Sequence, residues 1–156
     1  MNNSGKTVVR IALIVIGITM LTLGDNVDYT FIDAPYKKYV REYVKTLEDN
    51  GVNVPCQQRW TVRSEPSLFG TTTIGFAKGM FDDREVMVFL TPLLKFQKED
   101  IIRFVIWHEL THDIFNLRHG TTLLMKPTSY GNDDKLFPSA KALLIKYLKA
   151  KQKTNK

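Results

Sequence analysis

The chain has 156 residues, with 22 Lys and Arg against 16 Asp and Glu, giving a formal net charge of +6. That length suits one domain with a sizeable core, and a composition that is 44% hydrophobic and 24% charged is that of an ordinary globular chain. A single cysteine, Cys56, excludes an intrachain disulfide and is too isolated for a cysteine-rich metal site.

In chain order, Lys6 and Arg10 precede the apolar run Ile11–Leu23. A run of about 13 residues fits the hydrophobic region of a signal peptide. It is short for a spanning helix, which needs about 20 residues, although counted from Val8 it could serve as an anchor. Residues 1–24 are therefore expected to be a signal peptide or N-terminal membrane anchor, and 25–156 the folded domain. The expected location is exported, either secreted or membrane-anchored, with membrane association through residues 8–24. From Lys141 to Lys156 there are six Lys and no acid. Such a run reads as the solvated face of a terminal helix. No aromatic and basic alternation points to nucleic acid, so none is expected as a partner, and a monomer is expected.

Val27–Ile32 reads as a short strand. Asp33 is a candidate N-cap with Pro35 in the first turn. Tyr36, Tyr39, Val40, Tyr43, Val44 and Leu47 then recur at helical spacing, and Asn50-Gly51 stops the helix. The tyrosines read as core packing. Strands follow at 59–64, 71–81 and 85–90, with Asp82-Asp83 as a hairpin turn and Pro92 closing the region. Residues 97–117 read as a largely buried helix with Glu99 and Asp100 at its N-terminus. Ser139, after Pro138, is a candidate N-cap for a final helix. The expected fold class is α+β: a twisted mixed sheet, an N-terminal helix, a helix carrying the histidines, and a C-terminal helix.

All three histidines fall in His108-Glu109-Leu110-Thr111-His112-Asp113-Ile114-Phe115-Asn116-Leu117-Arg118-His119. The first five residues read H-E-x-x-H, which on a helix sets two imidazoles one turn apart on one face, with the glutamate rotated beside them. That pattern fits a zinc ion with Glu109 as general base. A catalytic zinc needs a third protein ligand and an open position. On a continuous helix His119 would lie about 10 Å further along the axis. It can join only if the helix ends first, and Asn116, tolerant of the left-handed conformation, is the expected pivot, with Gly120 giving freedom beyond it. No Glu follows Glu109; Asp133 and Asp134 are the alternative third ligands. Asp113 either orients a histidine or is a solvated helix residue.

The segment His108 to His119, followed by Thr122-Leu-Leu-Met125-Lys-Pro127-Thr-Ser-Tyr130, resembles the metzincin zinc peptidases, whose signature is H-E-x-x-H-x-x-G-x-x-H and a methionine-containing turn. Phe115 stands at the family's glycine position and His119 comes one residue late. The spacing H-E-x-x-H-x-x-x-N-x-x-H is similar to that of a group of small bacterial and phage-type metallopeptidases. The resemblance implies a minimal metzincin-like domain with one Zn2+ held by His108, His112 and His119. It also implies that Met125 lies beneath the metal, and that Pro127 and Tyr130 shape the substrate pocket. An edge strand above the metal helix, for which Ile74–Gly79 is the candidate, would pair with the extended protein or peptide substrate. The expected function is that of a zinc endopeptidase; the alternative is a catalytically inactive zinc-binding domain with a structural or partner-binding role.

Overall fold

A computed structural model describes residues 27–54, 59–78, 85–126 and 136–154. Helix α1 (Lys37–Asp49) buries Tyr39, Val40, Tyr43, Val44 and Leu47, the apolar stripe spaced for one helical face. It stops where Gly51 takes a positive φ of 71° and donates to the Glu48 carbonyl.

The segment before α1 departs from the expected strand. Only Ile32 forms a bridge, parallel to Val62, flanked by Val62 N–H donating to Phe31 and Asp33 N–H donating to Val62. On one side the Asp28 carboxylate accepts from the Thr30 amide at 2.9 Å, a local turn that competes with a ladder. On the other, Tyr36 N–H bonds back to Asp33 and the helix begins. Nor does Asp33 cap that helix. Its carboxylate accepts from Ser64 N–H at 2.8 Å, tying the entry to α1 onto the sheet.

Strand β1 (Arg59–Ser64) runs parallel to β3 (Glu85–Leu90) along its whole length, from Arg59 opposite Glu85 to Ser64 opposite Leu90. The short strand β2 (Gly75–Ala77) pairs antiparallel on the other side of β3, with Phe76 opposite Phe89. The sheet order is β1-β3-β2, mixed as expected. The strand expected over 71–81 is shorter within the described residues. Thr71 accepts from Thr73 N–H and donates to the Leu68 carbonyl, so the threonines close turns instead of extending a ladder. Asp82-Asp83 lies outside the described residues.

Trp60 and Val62 on β1 and Val86, Val88 and Leu90 on β3 are fully buried and share one face by the two-residue period. Buried side chains of all three helices join that face in one core. Helix α2 (Glu99–Phe115) packs on β2, β3, α1 and the C-terminal helix α3 (Leu136–Thr154), and every residue from Val105 to Ile114 is buried. A helix buried all round needs partners on every side. Trp107 meets Tyr43 of α1 edge-on at 4.8 Å and Phe137 of α3 at 5.5 Å. The Tyr43 hydroxyl pairs with Thr111 Oγ1 at 3.2 Å, so neither buried oxygen is orphaned. At the start of α2, Arg103 bonds Glu42 of α1 at 2.9 Å as well as Glu99 and Asp100, and Lys38 pairs with Glu99.

The α3 start also differs from expectation. The helix begins at Leu136, so Pro138 falls in its first turn, where a missing N–H costs nothing, and Ser139 lies inside the helix. Among the described residues no helix is long and apolar enough to cross a membrane.

Candidate metal centre

His108 and His112 face the same way from adjacent turns of α2. The helix stops at Asn116, which takes φ 48° and ψ 43°, the left-handed conformation that Asn tolerates better than most residues. The chain then turns back. Gly120, at φ 83°, donates to the Met125 carbonyl at 2.8 Å, closing a compact turn. That reversal brings His119 to the other two rings. His108 Nε2 lies 3.0 Å from His112 Nε2 and 3.2 Å from His119 Nε2.

Tautomers follow from the neighbours. His108 Nδ1 lies 2.7 Å from the Leu124 carbonyl, and His112 Nδ1 lies 2.5 Å from the Leu117 carbonyl. A carbonyl can only accept, so each Nδ1 must donate, and in the neutral ring each Nε2 carries a bare lone pair. Two lone pairs 3.0 Å apart repel and are not a hydrogen bond; a cation between them removes the conflict. A proton is a poor candidate for that cation. Burial pushes His108 from 6.5 down to about 4, against the opposing Leu124 bond, and pushes His112 down as well. A tetrahedral ion with Zn–N bonds of about 2.0–2.1 Å would set its donors about 3.3 Å apart, close to the two spacings from His108, and all three donors lie within 4.8 Å of one another. The three histidines can hold a metal ion.

Glu109 is buried beside this cluster. Burial raises its carboxyl from 4.5 to about 7, and a hydrogen bond from the Ala77 amide pulls the other way. Gly75 makes room for it. A Cβ there would stand 3.2 Å from Glu109 Cγ and 2.9 Å from Leu90 Cδ2. A cleft of about 360 Å³ opens over the site, lined by Gly75, Phe76 and Ala77 of β2, Glu109 and His112 of α2, and Arg118 and His119 of the turn.

The structure thus brings together His108, Glu109, His112 and His119. Met125 is fully buried in the turn, next to Leu124, whose carbonyl fixes His108. Pro127, Tyr130, Asp133 and Asp134 lie outside the described residues. Asp113 is not a solvated helix residue. It is buried, and its Oδ2 accepts from Met87 N–H at 2.9 Å, locking α2 to the central strand beyond the end of β2. Sequence reasoning missed the two carbonyls that orient the rings, the Ala77 amide and the place of Arg118. The glycine of Ile74-Gly75 was visible in the candidate edge strand, but its use as space for Glu109 was not. No family model, curated protein or solved structure matches the chain.

Proposed function

We propose that this chain is a zinc-dependent endopeptidase of metzincin type. The observation that carries the reading is the meeting of three imidazole Nε2 atoms, at least two of them with the lone pair turned inward, beside a buried carboxylate in an open cleft. Three nitrogen ligands and free space on the fourth side suit a catalytic zinc better than a closed structural one. A zinc ion there would polarise a carbonyl and acidify a water, from a pKa of about 15.7 toward 7.

The chain's own groups supply the rest. The Leu117 and Leu124 carbonyls hold the rings with Nε2 forward. Glu109 takes a proton from the attacking water and returns one to the leaving amine. Its ordinary value is displaced toward neutrality, and a nearby dication favours its charged form, so it is ready as a base near pH 7. Substrate would lie along β2. The Ile74 carbonyl and Lys78 amide bond to β3, so Gly75 and Ala77, between them in the alternation, turn their polar groups away from it. The Ala77 amide goes to Glu109. The remaining groups match the ladder of an extended peptide.

The reading is tested by incubating zinc-loaded protein with a mixed peptide library, with and without chelator. Cleavage should depend on metal. Glu109→Gln should retain stoichiometric zinc and lose about 10²–10⁴-fold in kcat. Metal binding without cleavage of any peptide would favour the inactive zinc domain instead. The export of the chain is a separate proposal resting on Ile11–Leu23, checked by sequencing the N-terminus of exported material.

A further inference from the structure

Arg118 stands between two fixed points. Leu117 before it gives its carbonyl to His112, and His119 after it joins the histidine cluster. Its own carbonyl accepts from the Thr121 amide and, at 2.6 Å, from the Thr121 hydroxyl. The backbone under this side chain is therefore held by the same turn that builds the metal site, and the side chain lines the cleft.

The other arginines among the described residues are all engaged. Arg59 meets Glu85, Arg63 meets Glu65, Arg103 meets three carboxylates, and Arg41 lies over the Tyr29 ring at 4.9 Å. Arg118 alone among them has no carboxylate or ring partner within the described residues. Among the described residues lining the cleft the only other acidic or basic side chain apart from the histidines is Glu109, whose stem is packed against Gly75 and whose carboxylate is held by the Ala77 amide. A guanidinium offers a planar fork of donors that fits a carboxylate with two parallel hydrogen bonds. A dication at the histidines would add to the same field and repel a basic substrate residue.

From this we infer that Arg118 selects peptides bearing a carboxylate close to the scissile bond, either an Asp or Glu side chain or a free chain terminus. The inference rests on the peptidase reading and adds its substrate class. The scissile carbonyl must sit between the histidine cluster and Glu109, and Arg118 is adjacent to that point in the chain. The group it grips therefore belongs to a residue near the cleaved bond.

The test uses zinc-loaded protein and peptides blocked at both ends, in sets that place Ala, Glu or Lys at each position around the cleaved bond. A parallel set has free C-termini. A carboxylate at one position should raise kcat/KM about 10–100-fold over Ala, the range expected of a charge-assisted contact. The preference should shrink as salt rises. A gain confined to free C-termini would assign the carboxylate to the chain end, and a gain in blocked peptides to an acidic side chain. Arg118→Gln should bring the Glu-to-Ala ratio to about one, and Arg118→Glu should turn the preference toward Lys, with zinc content measured for both. If zinc-loaded protein cleaves blocked Ala and free-ended peptides as fast as acidic ones, or if Arg118→Gln keeps the preference, this inference fails and the peptidase reading stands. If no peptide is cleaved, both fail.

Discussion

Gly75 is the residue whose identity the site explains most directly. It does not take a positive φ, so its backbone could carry a side chain; what excludes one is the neighbourhood. The Leu90 methyl could rotate away, but Glu109 Cγ at 3.2 Å and the Phe89 carbonyl at 3.3 Å could give way only by moving the base or the central strand. Gly75→Ala should leave the three imidazoles untouched and keep zinc affinity. It should cost about tenfold in kcat, since small misplacements of a reacting group are expensive. It should also loosen the Ala77 contact that favours the charged carboxylate, moving the acid limb of the pH–rate profile upward. An unchanged acid limb together with unchanged kcat would remove Gly75 from any role in placing Glu109. The contrast in legibility is physical. His108, Glu109 and His112 could be read from the sequence because their spacing is local and their side chains are distinctive. The Ala77 amide and the Leu117 and Leu124 carbonyls could not, because every residue type offers the same backbone groups and only the fold selects among them.

At the level of elements, the decisive event is the end of α2. Asn116 in the left-handed region lets Leu117 return its carbonyl to His112 and lets the chain carry His119 back. Asn116→Gly should preserve the turn, while Asn116→Val should cost about 1–2 kcal/mol, the strain of a β-branched residue in that region. Because that strain falls on the segment carrying the third ligand, zinc affinity should fall with stability in the valine variant and hold in the glycine variant; metal titrations and urea midpoints of both check this. An unaffected zinc affinity in Asn116→Val would show that the turn does not depend on this conformation. This stop was legible because Asn at a helix end obeys a local rule. β1, β3, α1 and α2 were legible for the same reason, through strong periodicity. Residues 27–32 were not: their strand-like composition lost to a two-residue bond between Asp28 and Thr30 and to the immediate start of α1. The contacts of Asp113 and Asp33 were hidden for a related reason. Each reaches across to a strand amide, Met87 or Ser64, that no neighbour in sequence reveals.

On the scale of the whole molecule, the metal-free site sets two buried groups against each other as pH changes. His108 is displaced downward, from 6.5 to about 4, so its folded form resists protonation. The stability it contributes is full above about pH 6.5 and is lost as pH falls toward 4. Glu109 is displaced upward, from 4.5 to about 7. Its contribution is full below about pH 4.5 and is lost as pH rises through 7, where the buried carboxyl must ionise. Displacements of this size are worth about 3 kcal/mol each. Between pH 4.5 and 6.5 they oppose, and His112, also pushed down by burial, sides with His108, so the stability of chelator-treated protein should rise only gently with pH there. Glu109→Gln removes one side of the balance while its amide oxygen can still accept from Ala77. The chelated variant should therefore gain stability steadily as pH rises from 4.5 to 6.5, and its advantage over the unsubstituted protein should keep growing up to about pH 7. Saturating zinc should raise both proteins at neutral pH, by about 4 kcal/mol at a thousandfold excess over Kd, and that gain should vanish as the imidazoles protonate. Urea midpoints across pH 4 to 8, with chelator and with zinc, measure all three trends. Parallel curves for the two chelated proteins would mean that Glu109 meets water freely and that the cleft does not bury its base.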